Sequence, residues 1–184
     1  MNRSTNAAAF QGKDLSGFLK GEGHEGIYTG DEYLRSLNDG REVWINGERV
    51  ANVVSHPAFR NAARMTARLY DAMHDPQRRA LMTVPIEGRE GYVTHRFFQA
   101  PRSVQEQVAS RDAIAEWSRM TFGWMGRTPD YKAAWIGTLG ANEGAYAEYQ
   151  PNADRWYDFS RRRVPYINHA IVNPPVDRSL PVEQ

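Results

Sequence analysis

RDAIAEWSRMTFGWMGRTPDYKAAW, residues Arg111 to Trp135, holds the end of one helix, a connection bracketed by Gly123 and Gly126, and the start of a second helix. Thr128 reads as the N-cap of that second helix, Pro129 as its first helical residue, and Asp130 lies in its first turn. A Thr oxygen accepts from an orphan backbone N–H, proline has no N–H to lose there, and a carboxylate suits the positive helix end. Arg127 stands just before the helix and Tyr131 falls in its first turn. A guanidinium and a phenol beside free backbone N–H groups can hold an anion or a polarised oxygen. A well-capped helix with an Arg at its mouth accounts for the same residues, and such caps are common.

Working outward, Ser103-Val104-Gln105-Glu106 reads as a capping box that opens a long helix to about Phe122. Its apolar stripe is Val104, Val108, Ala113, Ile114 and Trp117. Downstream, the Thr128 helix runs to about Leu139, and Gly140 to Gly144 breaks it. A further helix is expected over Ala145 to Arg163, with a break or kink at Pro151 because proline cannot donate to the ladder. After Arg163 the composition changes: Val164 to Val172 is β-like, and Asn173-Pro174-Pro175 forbids helix.

Toward the N-terminus, Ser55 and Pro57 begin a helix to about Met73, with Phe59, Ala62, Ala63, Thr66, Leu69, Tyr70 and Met73 on one face. Asp75-Pro76 ends it, and a short helical turn follows to Leu81. Val84 to Gly91 reads as loop and Tyr92 to Gln99 as extended. Asn46-Gly47, between Glu42-Val43-Trp44-Ile45 and Glu48-Arg49-Val50, predicts a two-residue hairpin turn, since both turn residues must take positive φ. Thr29-Gly30-Asp31-Glu32 is another capping box, opening a helix through Leu37. Residues 1–28 carry no sustained period and read as a poorly ordered arm. The organisation expected is an arm at 1–28, a mainly helical domain at 29–163 with one hairpin at 42–50, and an extended segment at 164–184.

Bulk properties narrow the function. Twenty-three basic residues against 22 acidic ones give a formal charge of +1, which argues for neither a nucleic-acid partner nor an anionic membrane. No apolar run approaches the ~20 residues needed to span a bilayer. The apolar patch near the N-terminus is too short for a secretory signal, so a cytoplasmic protein is expected. The absence of cysteine removes disulfides, thiolate nucleophiles and thiolate metal ligands. The five histidines show no helical metal spacing, and no metal site is expected. His95 sits in an expected strand with no clear partner. His169 taken alone reads most simply as a hydrogen-bonded strand histidine. Trp117 and Trp135 suit a helical core, whereas Trp124, beside the glycine connection, is an open candidate for a ring-binding wall.

Five blocks together are similar to a known family: SLNDGRE (Ser36 to Glu42), HPAFRNAA (His56 to Ala63), RDAIAEWSR (Arg111 to Arg119), GWMGRTPDYKAA (Gly123 to Ala134) and NHAIVNPPVDR (Asn168 to Arg178). Their order and content resemble the N-terminal part of the 4-hydroxyphenylacetate 3-monooxygenase oxygenase components. The resemblance implies the helical N-terminal domain of an acyl-CoA-dehydrogenase-like flavoprotein, with residues 164–184 leading into a middle β-barrel beyond this chain. It implies ortho-hydroxylation of a phenol to a catechol with molecular oxygen and FAD reduced by a separate flavin reductase, in a homotetramer. It assigns Arg127, Tyr131 and His169 to phenolic substrate and catalysis, and His169, Ala170, Ile171 and Val172 to flavin contact. This segment by itself would lack most of the flavin site and be inactive. A non-catalytic helical interaction module is a rival. So is a flavin-dependent hydroxyacyl-CoA dehydratase, although that branch uses cysteine-held iron–sulfur clusters and this chain has no cysteine.

Overall fold

The computed structural model of the protein describes residues 26–124, 130–142 and 144–168. The expected helices are present. Helix α1 is Gly30–Ser36, and both halves of the Thr29–Glu32 capping box form. Helices α2 and α3 are Arg60–Ala72 and Pro76–Met82. Helix α4 is Val104–Met120, capped by the Ser103 hydroxyl, which accepts from the Glu106 N–H at 3.1 Å. Helices α5 and α6 are Asp130–Ala141 and Gln150–Arg163.

Strands β1 (Trp44–Ile45) and β2 (Glu48–Arg49) pair antiparallel, Trp44 opposite Arg49. Asn46 at φ 52° and Gly47 at φ 81° make the turn between them, as the Asn-Gly pair requires.

Three sequence expectations need correction. Helix α2 begins at Arg60 rather than near Ser55, because the Asn52 carboxamide takes the Val54 N–H at 2.8 Å and winds residues 52–59 into turns. A second hairpin exists: β3 (Thr83–Pro85) pairs antiparallel with β4 (Val93–His95), Thr83 opposite His95. Its strands are three residues each, too short for a periodic signal, and Pro85 hid the first as loop. At Pro151 the expected break is present: a 3-10 turn at Ala147–Tyr149 ends there and α6 begins at Gln150, where a missing N–H costs nothing. Residues 164–168 form no strand, and Val164 adopts φ 46°, ψ 52° as the left-handed C-cap of α6.

The core gathers around α2. Leu69, Tyr70 and Met73 are buried there against Met82, Phe97, Phe98, Trp117, Ala133 and Ile136 from four later segments. Helix α1 lies close on α2, and the Gly30 N–H donates to the Asp71 carboxylate at 2.7 Å. A Cβ at Gly30 would stand 2.8 Å from the Ala67 carbonyl, so only glycine permits this approach. Arg96, just after β4, donates to the carbonyls of Leu81 and Thr83 at 3.0 and 3.2 Å and ties the second hairpin to the end of α3.

His95 is 2% exposed, wedged between Phe97 at 3.8 Å and Trp117 at 5.4 Å between ring centroids. Its Nδ1 accepts from the Phe97 N–H at 3.1 Å, so Nε2 carries the proton, and Nε2 has no partner among the described residues. Burial, reinforced by the neighbouring Arg96 charge, pushes the imidazole down to about 3. The folded state therefore keeps His95 neutral while the unfolded chain protonates it below about 6.5. Its contribution to stability is complete above that value and is lost as pH falls toward 3. The slope approaches about 1.4 kcal/mol per pH unit. Denaturant titrations between pH 7 and pH 4 should show this one-proton slope in the wild type, and its loss in His95→Gln.

Helices α5 and α6 cross at Gly140, where an added Cβ would stand 2.0 Å from the Tyr157 ring. At Gly137, three residues earlier, an added Cβ meets nothing nearer than the Phe98 carbonyl, at 3.4 Å. Both positions gain about 1 kcal/mol of helix propensity from alanine. Gly140→Ala should nonetheless lose about 1–3 kcal/mol to overpacking, whereas Gly137→Ala should be neutral or stabilising, as read by thermal unfolding.

Candidate functional site

Helix α4 ends at Met120, and Thr121, fully buried, fixes the exit because its hydroxyl donates to the Trp117 carbonyl at 3.1 Å. The chain then turns through Phe122 and Gly123, both at positive φ, and leaves Trp124 64% exposed. Far along the sequence, the α6 C-cap at Val164 redirects the chain into Pro165 and Tyr166.

These two exits meet. Trp124 and Tyr166 line one concavity of about 370 Å³, together with Tyr33, Leu37 and Arg41 from the α1 region and Phe59 at the start of α2. A second concavity of about 500 Å³ shares Tyr33, Leu37, Arg41 and Tyr166 with the first and adds Tyr28 and Asp39. The shared wall is aromatic. Tyr33 stacks on Tyr70 at 5.0 Å between centroids, and Tyr28 meets Tyr70 edge-on at 5.9 Å.

Electrostatics in this wall are subdued. Arg41 forms a bidentate pair with Asp39, and its hydrogen bonds hold the Asp39 carboxyl down at about 2. Burial raises the Tyr33 phenol, opposed by a hydrogen bond with Thr66, and burial pushes Tyr166 up to about 12. Both phenols are therefore neutral near pH 7. They offer ring faces and hydroxyl groups rather than charge, which suits an aromatic guest more than an ion.

Of the residues expected at the site, Tyr131 lies in the first turn of α5, 54% exposed, with the Lys132 ammonium 4.2 Å from its ring centroid. Its neighbours Ala133 and Ile136 anchor α5 in the core, so the helix that carries Tyr131 is firmly seated. Arg127, the Thr128 cap, His169, Ala170, Ile171 and Val172 lie outside the described residues. Trp124 stands three positions before Arg127 and Tyr166 three before His169, and they share one concavity. Sequence reading left Trp124 open and missed Tyr33 and Tyr166. The aromatic content of VPYINH was the available signal, but it reads equally well as strand. Among the described residues no group of three or more His, Asp or Glu side chains could hold a metal ion.

The architecture is that of the helical N-terminal domain of acyl-CoA-dehydrogenase-like flavoproteins. The crystal structure of the oxygenase component (HpaB) of 4-hydroxyphenylacetate 3-monooxygenase, complexed with FAD and 4-hydroxyphenylacetate, superposes with TM-score 0.71 at 31% identity, over 84% of this chain and 32% of that one. Residues 29–184 match the family model described as 4-hydroxyphenylacetate 3-hydroxylase, N terminal, and the chain belongs to that family. The 4-hydroxyphenylacetate 3-monooxygenase oxygenase component of Pseudomonas aeruginosa is 56% identical over 157 residues, 85% of this chain and 30% of that protein. The 4-nitrophenol 2-monooxygenase oxygenase component of a Rhodococcus species is 54% identical over 156 residues, again 85% of this chain and 30% of the relative. The chain thus spans a little under a third of the length of the relatives it matches.

Proposed function

We propose that the chain is the N-terminal part of the oxygenase component of a two-component, flavin-dependent phenol monooxygenase, and that the concavity between Trp124 and Tyr166 receives the phenol ring. The observation that carries this reading is the meeting of those two residues, each three positions from a residue that the family resemblance assigns to the substrate. A volume of about 370 Å³ suits a single-ring substrate. It does not suit a whole FAD, so the described residues fit a ring face and leave the rest of the cofactor to groups elsewhere. His169, Ala170, Ile171 and Val172 would hold the flavin. When bound and reduced, FAD supplies an electrophilic oxygen atom derived from molecular oxygen.

The chain's own residues prepare the acceptor. A phenol has a pKa near 10, and its ring carbon is a better nucleophile as phenolate. Arg127, which stays protonated, lowers that pKa by its charge. His169 accepts the phenolic proton. Tyr131 donates a hydrogen bond that orients the phenolic oxygen. The aromatic wall excludes water from the ring and sets the face presented to the cofactor.

The full reading includes a flavin reductase partner, a homotetrameric assembly in the full-length protein and a cytoplasmic location. No helix among the described residues is long and apolar enough to cross a membrane. The test uses the full-length oxygenase with its reductase. Arg127→Ala and His169→Ala should each lower catechol formation by about 10- to 100-fold, the loss of a hydrogen bond to a charged group. FAD affinity should change little, and hydrogen peroxide release should rise. Tyr131→Phe should be milder, since it keeps the ring. An Arg127→Ala enzyme that couples reduced flavin to catechol as efficiently as wild type would overturn the reading.

A further inference from the structure

Val164 is a β-branched residue at φ 46°, a conformation such residues avoid because Cβ crowds the backbone. It is 4% exposed, and its carbonyl accepts a hydrogen bond from the Tyr70 hydroxyl at 2.8 Å, across 94 positions of sequence. One phenol on the central helix therefore grips the chain immediately before Pro165. Tyr70 is itself held, 3% exposed, under the rings of Tyr33 and Tyr28. A strained backbone persists only where its surroundings over-determine it, and such strain concentrates at functional positions. An ordinary helix end needs no such grip, since a glycine in place of Val164 would adopt the left-handed cap without cost.

We propose that Tyr70 is a positioning residue for the phenol site: its hydroxyl clasps the strained turn at Val164 and thereby fixes Tyr166 in the wall of the concavity opposite Trp124. Tyr70 does not meet the substrate in this arrangement; it acts through Tyr166. The inference rests on the phenol-monooxygenase reading above.

The test uses the full-length oxygenase with its reductase and 4-hydroxyphenylacetate as the phenol. Tyr70→Phe keeps the ring and the stacking and removes only the hydroxyl. It should raise the KM for the phenol about five- to tenfold, the worth of one buried hydrogen bond, while kcat at saturation and FAD affinity stay within about twofold. Adding Val164→Gly to Tyr70→Phe should recover most of that KM, because the left-handed turn then no longer needs the clasp. Tyr166→Ala, which leaves the clasp untouched and lies outside the helices, should reproduce the KM rise and covers the case in which Tyr70→Phe fails to fold. A lowered melting temperature with unchanged KM in Tyr70→Phe, or an unchanged KM in Tyr166→Ala, overturns the proposal and leaves the phenol-monooxygenase reading standing. A wild-type oxygenase that turns over no phenol overturns both.

Discussion

The constraint on which the rest depends is the buried face of α2, and within it Tyr70. Leu69 and Met73 supply apolar contact to later segments, as any core helix does. Tyr70 adds directionality: two aromatic rings from the N-terminal side press on it, and its hydroxyl reaches the end of α6. Residues 28 and 164 are thus coupled through one side chain. Burial of Tyr70 raises its phenol above the ordinary range, which favours the protonated, donating form. Without this fixed point the segment after α6 has no regular hydrogen bonding of its own to set its course, since residues 164–168 belong to no helix or strand.

That geometry explains why the candidate site has an apolar, aromatic character although the chain as a whole is polar, with mean hydropathy −0.67. The residues left exposed around the α4–α5 junction are large rings: Phe122 at 86%, Trp124 at 64% and Trp135 at 60%. They follow from short-range causes. The positive-φ turn at Phe122 and Gly123 ends α4 abruptly, and α5 commits Ala133 and Ile136 to the core, which leaves Trp135 on the opposite face. The Arg41 guanidinium, which lines the concavity, is neutralised locally by Asp39.

What was legible in the sequence is what local chemistry decides. Thr29 with Glu32, Asp75 with Pro76, and Asn46 with Gly47 each set a boundary within a few residues, and each formed; of the Ser103–Glu106 box only the serine half formed, the Glu106 carboxylate accepting from the Arg102 N–H instead. What was not legible depends on distant partners. The β3–β4 hairpin is held by Arg96 reaching back to α3, and no periodicity over three-residue strands reveals it. The left-handed Val164 contradicts its own residue type and exists because Tyr70 holds it, a contact across 94 positions. The site was half visible: GWMGRTPDY and VPYINHA marked the two segments, but their meeting at Trp124 and Tyr166 is a property of the fold.

A crystal structure of the full-length oxygenase with a bound phenol tests the central claim most directly. The expected result is a phenol ring in the concavity, bounded by Trp124 and Tyr166, with the Tyr70 hydroxyl on the Val164 carbonyl and the phenolic oxygen directed toward Arg127 and His169. A phenol bound elsewhere, with Trp124 and Tyr166 on separate surfaces and Tyr70 released from Val164, would contradict it.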